Sequence, residues 1–176
     1  MMKLMRVAAA AVAALLICGL IQPIHPAAAQ ANLGGTYNLD PATAGNPAMA
    51  IENVTSQMGF FKRDMAKRRL TATNMPSQQL VISQTASEIS IRTDSGLSIN
   101  TPVNGAPISV TGPDGGTATV STSWQGPTLV RTFTTPDATR VNSYSLSGNT
   151  LTESVQINSP ELPQPLSYQL IYHKGS

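Results

Sequence analysis

The chain has 176 residues, which fits one domain able to bury about two thirds of its unfolded surface. Its formal charge is +2, but Lys3 and Arg6 lie in an N-terminal leader, and the remainder balances nine basic against nine acidic residues. That neutrality argues against nucleic acid as a partner, because such affinity comes mainly from neutralising phosphates. Cys18, the only cysteine, also lies in the leader, so residues 30–176 have no disulfide, thiol nucleophile or cysteine metal site.

The leader reads as a secretory signal peptide. Lys3 and Arg6 precede an apolar run from Val7 to Ile21, and Ala27, Ala28 and Ala29 supply the small residues that a signal peptidase requires. Cleavage after Ala29 is expected, giving a domain of residues 30–176 in the periplasm or outside the cell. The run is too short to span a bilayer, for which ~20 apolar residues are needed. Ile17 before Cys18, with Leu20 and Ile21 continuing the apolar stretch, does not form a lipobox.

A first short strand is read at Gly34 to Asp40, with Tyr37 and Leu39 on one face. Asn46-Pro47 then signals a helix start, with Asn as the cap and Pro in the first turn. Ile51, Val54, Met58, Phe61 and Met65 recur three and four apart, so they form one stripe on a helical surface. Gly59 interrupts it, which predicts one kinked helix or a helix pair over roughly Pro47 to Thr71. The second half carries Phe60 and Phe61 with Lys62, Arg63, Lys67, Arg68 and Arg69, five of the nine basic residues of the domain. Two readings stand: a basic amphipathic face for an anionic membrane surface, or a solvated outer face whose aliphatic stems cover a barrel mouth.

Strands resume after Pro76. Gln79 to Gln84, Glu88 to Thr93, Gly96 to Thr101 and Pro107 to Thr111 are separated by turn signals at Ala86-Ser87, Asp94-Ser95, Asn104-Gly105 and Pro113-Asp114-Gly115-Gly116. From Thr117 to Ser159 four runs alternate apolar and polar residues, with turns at Gly126-Pro127, Pro136-Asp137-Ala138 and Ser147-Gly148-Asn149. Leu166 to His173 is the last strand. Connections this short leave no room for crossover helices, and a long meander hides its edges by closing. The fold class is therefore mainly β: an up-and-down antiparallel meander barrel of 8–10 strands, with the helical segment between the first and second strands.

Strand parity puts charges on the apolar faces. Arg131 shares its face with Leu129 and Phe133, and Glu153 shares its face with Leu151, Val155 and Ile157. Arg140, with Asn142 and Tyr144 on its face, lies on the strand between, and Tyr168 and Tyr172 on the last strand can join. If those faces are interior, each charge needs a partner. One reading is an Arg131–Glu153 ion pair in a packed barrel. The other is that Arg131, with Arg140 or Tyr172, anchors the polar end of an apolar ligand.

One strand, a helix pair and a continuous meander resembles the calycin superfamily, and in particular the fatty-acid-binding-protein-like barrels and the secreted lipocalin-like proteins of bacteria. Gly35-Thr36-Tyr37-Asn38-Leu39 is similar to the Gly-Thr-Trp-Lys-Leu opening of that group, Trp124-Gln125-Gly126 to its Trp-x-Gly turn, and Ile171-Tyr172-His173-Lys174 to its closing Tyr-x-Lys strand. Leu170 departs from the pattern, standing where the fatty-acid-binding proteins place an Arg. The resemblance implies a monomeric barrel that holds a small hydrophobic or amphipathic, fatty-acid-like ligand. The ligand-binding set is then Arg131, Glu153, Arg140, Tyr144, Tyr168, Tyr172 and Trp124, with no cofactor. An envelope interaction module with a filled barrel, such as an inhibitor or assembly factor, is the alternative. Small core residues favour the binding barrel, for they leave interior space.

Catalysis has little to draw on. His173 is the one histidine left after processing, no serine lies in a Gly-x-Ser-x-Gly elbow or a Ser-x-x-Lys motif, and the acidic residues are scattered through turns without forming a metal cluster. No catalytic or metal-binding residue is assigned.

Overall fold

The structure, a computed structural model, describes residues 30–112 and 115–175. The leader, its cleavage point and the Pro113-Asp114 part of one turn lie outside the described residues. Ten strands form one sheet: β1 (Gly35–Leu39), β2 (Gln79–Gln84), β3 (Glu88–Thr93), β4 (Ser98–Pro102), β5 (Ile108–Thr111), β6 (Thr117–Gln125), β7 (Thr128–Thr134), β8 (Thr139–Ser147), β9 (Thr150–Asn158) and β10 (Leu166–Lys174). The spatial order is β4-β3-β2-β1-β10-β9-β8-β7-β6-β5. Every strand pairs antiparallel with its sequence neighbour except across β4 and β5, and β1 joins β10 with Leu39 opposite Tyr172. The result is a nearly closed up-and-down barrel whose one seam lies between β4 and β5. A single backbone bridge, Asn104 to Ser123, crosses it near one end.

The turns follow from their residues. The β8–β9 hairpin turns through Gly148-Asn149, between the paired Ser147 and Thr150, with Gly148 at φ 58°. The β6–β7 hairpin repeats this with Gly126 at φ 60°. Two-residue hairpins need positive φ at the first turn position, which glycine adopts without steric cost.

The helical segment is a pair, α1 (Asn46–Thr55) and α2 (Phe60–Thr73), preceded by a single 3-10 turn at Pro41–Thr43. Asn46 does not cap α1. Its amide instead donates to the Gln169 carbonyl of β10 (2.7 Å), and the cap position falls on Gly45, which offers no side-chain bond. The expected apolar stripe splits at the break between the helices. Ile51 and Val54 of α1 are buried in the barrel mouth, whereas Phe61 and Met65 of α2 are 91% and 70% exposed.

The core runs through the barrel as one cluster. Leu33 closes the end opposite the helices, with its N–H donating to Gln84 Oε1 (2.9 Å) and its carbonyl accepting from the Tyr37 hydroxyl (2.9 Å). Ile51 and Val54 close the other end, and between them Ile89, Leu129, Leu151 and Leu166 are fully buried. Interior positions are therefore filled largely by the chain's own side chains. Leu129→Ala is expected to destabilise the protein by about 2–5 kcal/mol, because a fully buried side chain leaves a cavity. Phe61→Ala should cost less than about 0.5 kcal/mol, as at an exposed site. Urea unfolding of the two variants checks the contrast; equal costs would mean that α2 packs in solution.

Candidate functional site

All six inward-reading polar candidates on β7 to β10 lie inside the barrel. Arg131, Glu153, Tyr144, Tyr168 and Tyr172 are buried and Arg140 is half-buried. Trp124, at the end of β6, sits at the barrel end away from the helices and is half-buried against the core. Strand alternation explains these positions: Arg131 pairs across with Asn142, and Tyr144 with Glu153, so the four stand side by side on the inner wall.

Arg131 and Glu153 form no ion pair. The guanidinium instead donates from Nε to Thr122 Oγ1 (3.1 Å), and from Nη2 to Thr101 Oγ1 (3.1 Å) and the carbonyls of Ile89 (3.3 Å) and Ile99 (3.4 Å). Burial holds its pKa below the usual arginine value, partly offset by Tyr144 and Glu153. Glu153 Oε1 accepts from Asn142 Nδ2 (2.7 Å) and from the Tyr144 hydroxyl (3.0 Å). The ion pair fails because Arg131 is drawn sideways to the seam, where Thr101, Thr122 and two backbone oxygens give it four neutral acceptors. Each charge is thus satisfied by hydrogen bonds, and the two act on each other only through space.

A second polar cluster sits at the helix end. Arg140 donates to Asn142 Oδ1 (2.8 Å), Asn74 Oδ1 (3.1 Å), the Thr73 carbonyl (3.4 Å) and the Tyr168 hydroxyl (3.3 Å), while that hydroxyl donates to Asn74 Oδ1 (3.0 Å). Asn74 follows α2 and its Nδ2 donates to the Leu70 carbonyl (2.9 Å), so this cluster ties the end of α2 to β8 and β10. Asn74 carried no sequence signal, for it belongs to neither a strand alternation nor the helical stripe. Thr101, Thr122 and Asn142 could have been found, since all three hold inward parity on their strands.

A groove of about 850 Å³ lies between α1 and strands β8, β9 and β10. Met49, Ala50 and Asn53 form its helical side, while Val141, Ser143, Ser154, Gln156, Ser167 and Gln169 line it from the outward face of the strands, and of the inward-facing strand residues it touches Val155 and Tyr168. None of its fifteen lining residues is charged. A second cavity of about 430 Å³ lies between the β7–β8 turn and the Pro160–Pro165 loop.

Helix α2 buries no residue. Phe60 and Phe61 are exposed and meet edge-to-face with ring centres 5.7 Å apart. Of the basic set, Arg63 (3.2 Å) and Lys67 pair with Glu52 of α1, and Arg69 lies 3.9 Å from Glu161. Lys62 and Arg68 have no ion pair among the described residues. His173 is exposed and faces Asp40 at 3.4 Å. A backbone bond from Ala42 and the His173 contact hold the Asp40 carboxyl below the usual carboxylate range. Among the described residues no cluster of three or more metal-ligating side chains occurs, and no helix is long and apolar enough to cross a membrane.

No protein-family model matches the chain, and no curated protein matches it in sequence. Solved structures do match its shape. Fatty-acid-binding protein 1 of Echinococcus granulosus superposes with a TM-score of 0.55 at 11% identity, covering 82% of this chain and 98% of its own. The REP1-NXSQ fatty acid transporter gives 0.54 at 15%, covering 82% and 96%, and human cRBP IV gives 0.52 at 17%, covering 82% and 99%. At these identities the likeness is one of fold: the chain has the same up-and-down barrel as these structures.

All four tyrosines of the chain, Tyr37, Tyr144, Tyr168 and Tyr172, have pKa values raised above 10.0, chiefly by burial, with Glu153 adding to the rise at Tyr144, Tyr168 and Tyr172. Because the folded values exceed the unfolded ones, their stabilising effect is complete below the ordinary tyrosine pKa and is lost as pH rises towards the raised values. Tyrosinate absorbance should stay flat through the ordinary range and then appear together with loss of the β-sheet circular dichroism signal. Normal titration of two or more tyrosines in folded protein would contradict this placement.

Proposed function

We propose that the chain is a non-enzymatic barrel that binds a small hydrophobic or amphipathic ligand of fatty-acid type. The groove beneath α1 carries this reading. Its volume falls in the range of small-molecule sites, its walls are uncharged, and from the outer face of β8 to β10 it extends to touch Tyr168 and Val155 of the inner wall. The shape shared with a fatty-acid-binding protein and a fatty acid transporter supports it, as do the interior charges of Arg131, Arg140 and Glu153. Because the interior is packed, the ligand gains its space by displacing α1 and α2 outward, and α2, with no buried side chain, offers little resistance. The leader sequence supports a periplasmic or secreted location.

Binding of a fluorescent fatty acid to native protein and to Ala50→Trp tests the reading. Ala50 lines the groove away from the polar clusters, so the bulky indole should weaken binding by at least about tenfold with the fold intact. Absence of native binding, or equal binding by the variant, refutes the proposed site.

A second reading concerns the outer face of α2, where Phe60, Phe61 and Met65 are 77%, 91% and 70% exposed beside Lys62, Arg68 and Arg69. Apolar groups flanked by exposed cations, of which Lys62 and Arg68 make no ion pair among the described residues, complement an anionic bilayer, and on this reading α2 brings the barrel to the membrane. Neutralising Lys62, Arg68 and Arg69 together should weaken binding to anionic vesicles by about 1 kcal/mol per residue and leave the melting temperature unchanged. Absence of binding to anionic vesicles removes the membrane as partner and leaves a protein as the alternative occupant of that face.

A further inference from the structure

The groove beneath α1 has two kinds of lining. On its strand side Ser143, Ser154 and Gln169 stand opposite one another on β8, β9 and β10, and Val141, Gln156 and Ser167 form the row beside them. Three strands at the usual spacing, with two residues of rise between the rows, make a panel about 10 Å wide and about 7 Å tall. All six side chains point away from the barrel interior, and each is half-buried or exposed. Met49, Ala50 and Val54 of α1, with Val155 and Tyr168 of the inner wall, supply the apolar part.

The panel holds unused bonding capacity. Gln169 Nε2 donates to Ser154 Oγ (3.1 Å), whereas the side chains of Ser143, Gln156 and Ser167 make no hydrogen bond among the described residues. Asn53 of α1 adds an amide from the other side of the groove. Hydroxyls and amides both donate and accept, so this surface suits a partner that does both at several closely spaced positions.

Charge narrows the partner. No lining residue is charged, and no outward position of β8, β9 or β10 holds Asp, Glu, Lys or Arg. His173, on the outward face of β10, faces Asp40. The charges of the surrounding elements are engaged elsewhere. Arg140, at an inward position, is bonded to Asn142, Asn74, Tyr168 and the Thr73 carbonyl, and Glu153, also inward, to Asn142 and Tyr144. Glu52 of α1 pairs with Arg63 and Lys67 of α2, and Glu161 lies beside Arg69. Asp137 lines the adjoining cavity, which shares Gln164 and Pro165 with the groove. An ionic head group would give up water on this wall without a charge of opposite sign among the lining residues. An uncharged head that carries several hydroxyls loses nothing in the exchange and gains the panel's free donors and acceptors.

We propose that the groove takes a single-chain amphiphile with an uncharged sugar head, its chain lying under α1 and its head on the outer panel of β8 to β10. Ser143 and Gln156 select the sugar, and Met49, Ala50 and Val155 hold the chain. The inference rests on the ligand-binding reading above and specifies the head group and where it sits.

Calorimetric titration of the native protein with decyl glucoside, decanoate and decyltrimethylammonium, each at neutral pH and below its micellar concentration, tests it. The glucoside should bind at least about fivefold more tightly than either ion, as one net hydrogen bond gained requires. Ser143→Ala combined with Gln156→Ala removes two polar groups from outward positions, so the fold should survive. In that variant the glucoside should weaken at least about fivefold while the two ions bind as before. The native comparison decides the matter even if the double variant does not fold. An ion bound as tightly as the glucoside by native protein, or a glucoside preference that survives in the folded double variant, overturns this inference alone. Failure of all three compounds to bind overturns the ligand-binding reading, and the inference with it.

Discussion

A ten-stranded antiparallel sheet has two edges unless its ends pair, and here the edges are β4 and β5. Unpaired edges carry rows of backbone donors and acceptors that must be satisfied or hidden. Arg131 answers much of that need from the inside. Rooted on β7, it reaches Thr122 on β6, Thr101 and the Ile99 carbonyl on β4, and the Ile89 carbonyl on β3. Thr101 in turn donates to Thr122 (2.8 Å), a contact from β4 to β6 that passes over the position β5 would fill in a continuous sheet. One side chain thus does work that elsewhere in the barrel is shared among backbone pairs. The continuous core, from Leu33 to Val54, depends on this seam staying closed.

The two helices close the other weak point by different physics. α1 inserts Pro47, Ile51, Val54 and Thr55 and is held by burial. α2 buries nothing and is held at its ends by polar contacts: Arg63 and Lys67 to Glu52 near its start, and Asn74 to Arg140 and Tyr168 just beyond its finish. Exposed ion pairs contribute little, so α2 belongs to the low-stability part of the molecule. The structure accordingly combines a rigid wall with a loosely attached cover at the end where the groove reaches the interior.

Much of this was legible in the residues. Period-two alternation placed Arg131, Arg140, Tyr144, Glu153, Tyr168 and Tyr172 on the inner wall, because a side chain's face depends only on its position along its own strand. Partners were not legible, because they depend on how far the wall curves. Arg131 finds oxygens contributed from positions 89 to 122, and their distance from it is set by barrel radius and shear. The helical stripe misled for a related reason. Its spacing assumed one continuous helix, but the chain breaks between Thr55 and Phe60, and beyond the break Phe61 and Met65 turn to solvent while Arg63, Ala66 and Leu70 are half-buried. Periodicity locates a face within one helix and carries no information across a break.

Pairing between β1 and β10 joins residues 37–39 to residues 172–174. Contacts that span nearly the whole chain form late, since closing so long a loop costs entropy before any contact repays it. As the chain emerges the hairpins from β2 to β9 can assemble, but the cylinder stays open until β10 is available to pair. Until then β1 and β9 present bare edges to any neighbouring chain, so a product truncated before Leu166 is an aggregation hazard more than a smaller barrel.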